Sequence, residues 1–123
     1  MTFHASRTGV DLVLGEGAAL VATVPIEPGR VRSRKLFAGA GATIMGLALD
    51  GGAVMREHHA PVPILIQLAE GEAVLEVDGR RLALVPGTLV HLDAGVRHHV
   101  EALTESRLLL TLLGGARTEE AAA

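Results

Sequence analysis

The fold is decided by the stretch Ala73-Val74-Leu75-Glu76-Val77-Asp78-Gly79-Arg80-Arg81-Leu82-Ala83-Leu84-Val85-Pro86-Gly87. Five residues rich in Val and Leu run into Asp78-Gly79, a pair that tolerates the left-handed backbone of a tight two-residue hairpin turn. Arg81 to Val85 forms the returning arm. Pro86-Gly87 stops it, because proline has no N–H to donate to a ladder and glycine accepts turn geometry. The stretch therefore reads as a β-hairpin.

Working outward, the same grammar repeats. Leu89 to Leu92 is a short apolar run that stops at Asp93-Ala94-Gly95. His98 to Leu103 and Arg107 to Leu113 follow. Upstream, Ile64 to Leu68 ends at Glu70-Gly71, and Thr43 to Leu49 ends at Asp50-Gly51-Gly52. Turn signals about every 8–12 residues between strand-length runs predict an all-β sandwich or barrel. Residues 1–35 differ in character and are expected to form an N-terminal arm that packs on a barrel of residues 36–113. Residues 114–123 form a polar or Ala-rich tail, where fraying is expected. Within the arm, apolar or small residues at 10, 13, 14, 17, 20, 21 and 24 follow a helical stripe, which favours a short helix over a strand. Gly15 and Gly17 weaken that helix by about 1 kcal/mol each relative to Ala.

Composition narrows the function classes. A chain of 123 residues is one domain, large enough to bury a core without a disulfide or metal. It has no Cys, which removes disulfide scaffolds, thiol nucleophiles and thiolate metal sites. Aromatics are 2% and the net charge is −3, so neither base stacking nor a basic field recommends a nucleic acid partner. No uninterrupted apolar window of about 18 residues occurs, so no membrane span is expected. Val10 to Val24 is cut by Asp11, Gly15, Glu16 and Gly17, which does not fit a secretory leader, and the expected location is the cytoplasm. Lys35 is the single lysine among eleven basic residues, a usage that points to a GC-rich bacterial genome. The run Arg30-Val31-Arg32-Ser33-Arg34-Lys35 reads as a solvated edge strand protected by charge.

Between Gly52 and Ala102 the chain resembles the cupin family, whose two motifs are G-x5-H-x-H-x3/4-E-x6-G and G-x5-P-x-G-x2-H-x3-N. Gly52 is followed after five residues by His58. The second histidine position holds Ala60, and the glutamate position, counted back from Gly71, holds Ile64. In the second motif Gly87 leads to Asp93 where the family has proline, then to Gly95 and His98, and the final asparagine position holds Ala102. The variant His58-His59-Ala60-Pro61 is similar to that of small single-domain cupins. The resemblance implies an antiparallel barrel of jelly-roll type, a double-sheet architecture. It also implies that His58 and His98 converge in one cavity, one on each of two facing strands.

Complete cupin sites hold a divalent metal with three His and one Glu, since imidazoles suit Zn, Mn, Fe and Ni and one carboxylate offsets charge. Residues two apart on a strand share a face, so His58, Ala60 and Ile64 are expected to face inward and His59 outward. Two of the four ligand positions are then apolar. His58 and His98 remain as metal candidates, with His91, Gln67 and His59 as weaker helpers. Gln67 faces inward only if a bulge intervenes. Without a metal, the same two histidines line a pocket as hydrogen-bonded imidazoles. Two functions compete. One is a binding or sensing module that takes a small, largely apolar molecule against His58, Ala60, Ile64 and His98. The other is a metal-dependent enzyme of dioxygenase or isomerase type. No catalytic residue is assigned. The apolar character of both faces of Ile64–Leu68 and Leu108–Leu113 calls for cover by the N-terminal segment or a second chain, and a homodimer is expected.

Overall fold

The computed structural model of the chain describes residues 9–39 and 41–114. Nine strands follow one short helix: α1 (Gly17–Thr23), β1 (Val31–Ala38), β2 (Ala42–Leu49), β3 (Val54–His58), β4 (Ile64–Glu70), β5 (Ala73–Val77), β6 (Arg80–Leu84), β7 (Leu89–Leu92), β8 (His98–Ala102) and β9 (Ser106–Leu113). They form a five-stranded sheet in the order β1-β2-β9-β4-β7 and a four-stranded sheet in the order β3-β8-β5-β6. Every pairing is antiparallel. The two sheets face each other without closing into one continuous barrel, which is the jelly-roll arrangement expected from the turn spacing.

Alternation builds the core. Ile64, Ile66 and Leu68 of β4 are buried, whereas Leu65 and Gln67 between them are half-buried on the opposite face. Leu47 and Leu49 from β2, Leu108 from β9, Leu75 from β5, Leu84 from β6, Leu92 from β7 and Val100 from β8 complete one cluster between the sheets. Each fully buried side chain of this size contributes about 1.5–3 kcal/mol.

The hairpin that decides the fold has the expected turn. Asp78 has φ 53° and Gly79 φ 76°, so both central residues are left-handed. The motif glycine Gly71 is also left-handed, with φ 91°, and a Cβ there would lie 2.2 Å from the carbonyl oxygen of Glu105. Gly71 thus lets the β4–β5 turn press against the β8–β9 loop. There Ser106 Oγ donates to the carbonyls of Glu72 and Thr104 at 3.1 and 2.8 Å.

The helical stripe yields a shorter helix than its apolar positions span. Helix α1 starts only at Gly17, past Gly15 and with the second opposing glycine as its first residue, and its N-terminal flank Glu16 makes no side-chain cap. Seven residues do not hold a helix alone. Packing does: Leu20 and Val24 meet Leu36 of β1 and Ala48 of β2 in a second cluster, on the outer face of the five-stranded sheet. Gly46 of β2 makes room, since a Cβ there would approach Val24 Cγ2 to 2.8 Å. Arg107 of β9 donates through Nε to the Val24 carbonyl at 2.7 Å and pairs with Glu70. The strand β1 takes in residues 31–35 of the stretch expected to be an arm, because its Arg and Ser residues are exposed on a sheet edge where no apolar pattern is needed. His4 and the tail beyond Gly114 lie outside the described residues. Among the described residues no helix is long and apolar enough to cross a membrane.

Candidate functional site

Register determines which side chains meet at the β6 and β7 edges. Across the β5–β6 hairpin the pairs Val77–Arg80, Leu75–Leu82 and Ala73–Leu84 share the face turned toward the other sheet, and Glu76–Arg81 shares the opposite one. Val90 and Leu92 of β7 face back from the five-stranded sheet, opposite Ile66 and Ile64. Among the described residues neither β6 nor β7 has a further strand beside it, so the sheets gape there. A cleft of about 750 Å³ opens in the gap. Val77, Leu82, Val90, Leu92 and Val96 line it, and all five pack against the main core. Its polar border consists of Glu57, Glu76, Asp78, Arg80, His91, Arg97 and His99.

Most of those polar groups are already engaged. Glu57 Oε1 lies 3.6 Å from Arg97 Nη1. Arg81, Glu76 and His99 form one row across β6, β5 and β8, with Arg81 Nη1 donating to Glu76 Oε2 at 2.7 Å and His99 Nε2 at 3.6 Å from the same oxygen. Arg81 also approaches Glu101 at 3.8 Å. Exposed pairs of this kind contribute about 0–1 kcal/mol each, so they orient the rim more than they stabilise the fold.

His98 opens β8 and is 1% exposed. Its Nδ1 lies 3.1 Å from the Val96 carbonyl. A carbonyl only accepts, so Nδ1 carries the proton and donates. In register His98 stands directly opposite His58, the last residue of β3, and on its other side opposite Val77. The two histidine positions are therefore side by side in one sheet, rather than on strands that face each other across the interior.

His58, Ala60 and Ile64 do not share one strand, although Ala60 packs against the core cluster that holds Ile64. Counting by twos assumes one unbroken strand. Here β3 ends at His58, the chain crosses over residues 59–63, and Ile64 opens β4 in the other sheet. Pro61 and Pro63 interrupt the ladder. Ala60 is half-buried in this crossing, its carbonyl accepting from Gly95 N at 2.8 Å. Ile64 is a core residue, 2% exposed. Ala60, Ile64 and His98 are not among the residues that line the cleft. Of the three weaker candidates, His91 borders the cleft, whereas Gln67 and His59 do not line it. Gln67 is on the outer face opposite Leu109 and Leu89, and the register break in β4 comes after it, between Leu68 and Glu70. His91 faces outward opposite Leu65, its side chain 50% exposed and Nδ1 4.0 Å from Asp93. His59 is exposed in the crossing.

The donor set does not fit the three-His, one-Glu metal centre of complete cupins. Ala60 and Ile64 carry no side-chain donor at their two ligand positions. Among the described residues no three His, Cys, Asp or Glu come together around one point. Sequence reasoning missed Arg80, Glu76 and Arg97 as border residues. For Arg80 the signal was present: Asp78-Gly79 sets the register that puts it opposite Val77.

Two open antiparallel sheets packed face to face, with a cleft beside edge strands, define a jelly-roll domain. The chain belongs to the cupin domain family, whose profile matches residues 47–113. No curated protein matches it. Among solved structures it is similar to a conserved Streptococcus pyogenes protein of unknown function, at 23% identity and a TM-score of 0.71 over 81% of this chain and 88% of that one. It is also similar to a cupin superfamily protein from Desulfitobacterium hafniense, at 21% identity and 0.71 over 76% and 86%. A cupin 2 conserved barrel domain protein from Leptotrichia buccalis matches at 29% identity and 0.70, over 77% of this chain and 46% of that one.

Proposed function

We propose that this cupin is a binding or sensing module that holds a small, largely apolar molecule in the cleft between β6 and β7. One observation carries the reading: five aliphatic side chains, Val77, Leu82, Val90, Leu92 and Val96, form a floor beneath a charged border. Concave apolar surface with a few polar groups at its edge is the usual build of a small-molecule site. A metal-dependent reaction is less well supported, because the glutamate position is core Ile64 and the second histidine position is Ala60. Ser106 offers no nucleophile, being wholly buried and committed to the Glu72 and Thr104 carbonyls.

The test is a titration with 1-hexanol followed by amide resonances. Saturable shifts at Val77, Leu82, Val90 and Val96, weakened in Leu82→Gln, are expected. Shifts that stay linear and scatter over the molecule would overturn the reading.

We also infer that two copies pair through the outer face at β4 and β7. In support, α1 and its flanks cover β1, β2 and β9, leaving Leu65 half-buried and Leu89 57% exposed on the same face.

A further inference from the structure

We propose that the ligand of this cleft is an anion, a short-chain aliphatic carboxylate, and that Arg80 receives its carboxylate; this rests on the reading of the cleft as a small-molecule site. The argument begins with register. Arg80 is the first residue of β6 and pairs with Val77, so it belongs to the cleft-facing row of Val77, Leu75 and Leu82. Its neighbour Arg81 belongs to the opposite row and is occupied by Glu76 and Glu101. Arg80 lines the cleft and, among the described residues, takes part in no ion pair.

Of the other charged or titratable groups on the border, Asp78 alone takes part in no ion pair among the described residues. Glu57 is matched by Arg97. Glu76 is matched by Arg81 and His99. His91 leans toward Asp93. Asp78 sits at the exposed hairpin tip. An uncommitted guanidinium at the edge of an aliphatic floor therefore dictates the ligand's shape: an anionic head and an apolar body. The planar fork of arginine matches both oxygens of a carboxylate, which a hydroxyl of equal size cannot exploit. Arg80 is exposed, so the contact is partly solvated and its gain is modest.

The experiment compares sodium hexanoate with 1-hexanol, probes of equal chain length, on the full chain and on Arg80→Met and Arg34→Met, by amide shifts and calorimetry. Hexanoate is expected to bind about five-fold tighter than hexanol. Arg80→Met should abolish that preference, and Arg34→Met, on the edge strand β1 outside the cleft, should preserve it. Raising the salt to 1 M should shrink the preference, since exposed charge pairs are screened. Equal binding of the two probes by the native chain would overturn the anion assignment and leave the apolar cleft standing. A preference that survives in Arg80→Met would overturn the role of Arg80. If neither probe shifts the cleft amides, this inference and the reading beneath it fall together.

Discussion

Arg107 Nε donates to the backbone carbonyl of Val24 at 2.7 Å, joining the last strand to the end of the N-terminal helix across 83 positions of sequence. Arg107 is 9% exposed, and its guanidinium closes onto Glu70, where the β4–β9 register breaks. A cation so deeply placed persists only with such partners. Arg107→Met keeps the length and apolar stem but leaves the Val24 carbonyl without its donor. A loss of about 1–3 kcal/mol is expected, read from urea unfolding. A loss below about 0.5 kcal/mol, the size of an ordinary surface change, would mean that the arm is not tied through this residue.

The arm also depends on an absence. Gly46 has no side chain, and Val24, Leu36 and Leu20 occupy the space a Cβ would need, at 2.8, 3.3 and 3.4 Å. Gly46→Val should displace the arm and cost about 1–3 kcal/mol. Gly17 at the start of α1 has nothing among the described residues within 4 Å of its Cβ position. Gly17→Ala should therefore be neutral or stabilise by up to about 1 kcal/mol. Melting curves of the two variants should move in opposite directions, or the second should not move. Similar losses in both would sink the argument.

How much was legible beforehand follows from which rules are local. The strands β5 and β7 run from Ala73 to Val77 and from Leu89 to Leu92, as read from Asp78-Gly79, Pro86-Gly87 and Asp93-Ala94-Gly95. Turn chemistry acts over two or three residues and needs no tertiary knowledge. Strand β3 was less visible. Val-Met-Arg-Glu-His has little apolar content because it forms an exposed sheet edge with a register break between Met55 and His58. The strand assignment at the site was less legible for a different reason. The parity argument carried His58 through to Ile64 as if one strand ran between them, although Pro61 and Pro63 argue against a ladder there. That the chain changes sheets at this point is a property of the topology. Arg80, by contrast, was placed in phase with Leu82 by a hairpin already recognised, and its role needed only the question of which sheet lay opposite.

The same geometry bears on metal dependence. The interior between the sheets is filled with aliphatic side chains, and His98 Nδ1 is spent on the Val96 carbonyl. Stability therefore comes from packing. Dialysis against EDTA should leave the thermal midpoint within about 1 °C, whereas a metal whose binding free energy is folding free energy would lower it by many degrees. Addition of Zn²⁺ or Mn²⁺ should produce no stoichiometric heat in calorimetry. A midpoint that falls on chelation, and recovers with one metal equivalent, would contradict the reading of the donor set.

Association is the last expectation. The outer face of the five-stranded sheet aligns Ile44, Thr111, Leu65 and His91 in one row and Gly46, Leu109, Gln67 and Leu89 in the next. Clusters around α1 cover the β2 and β9 end of both rows, where Ile44 and Leu109 pack against the helix segment. The β4 and β7 end carries Leu65 and Leu89 without such cover. Apolar surface of this kind, bordered by His91 and Gln67, suits a self-complementary contact, in which the same patch serves both copies. Light scattering at micromolar concentration should give about twice the chain mass of 12.8 kDa. Leu65→Arg with Leu89→Glu places charge where the two patches would meet and should return the mass to that of one chain, with little change in unfolding because neither side chain belongs to the core. A native chain that scatters as a single copy would remove the dimer, and a double variant that remains paired would move the interface elsewhere.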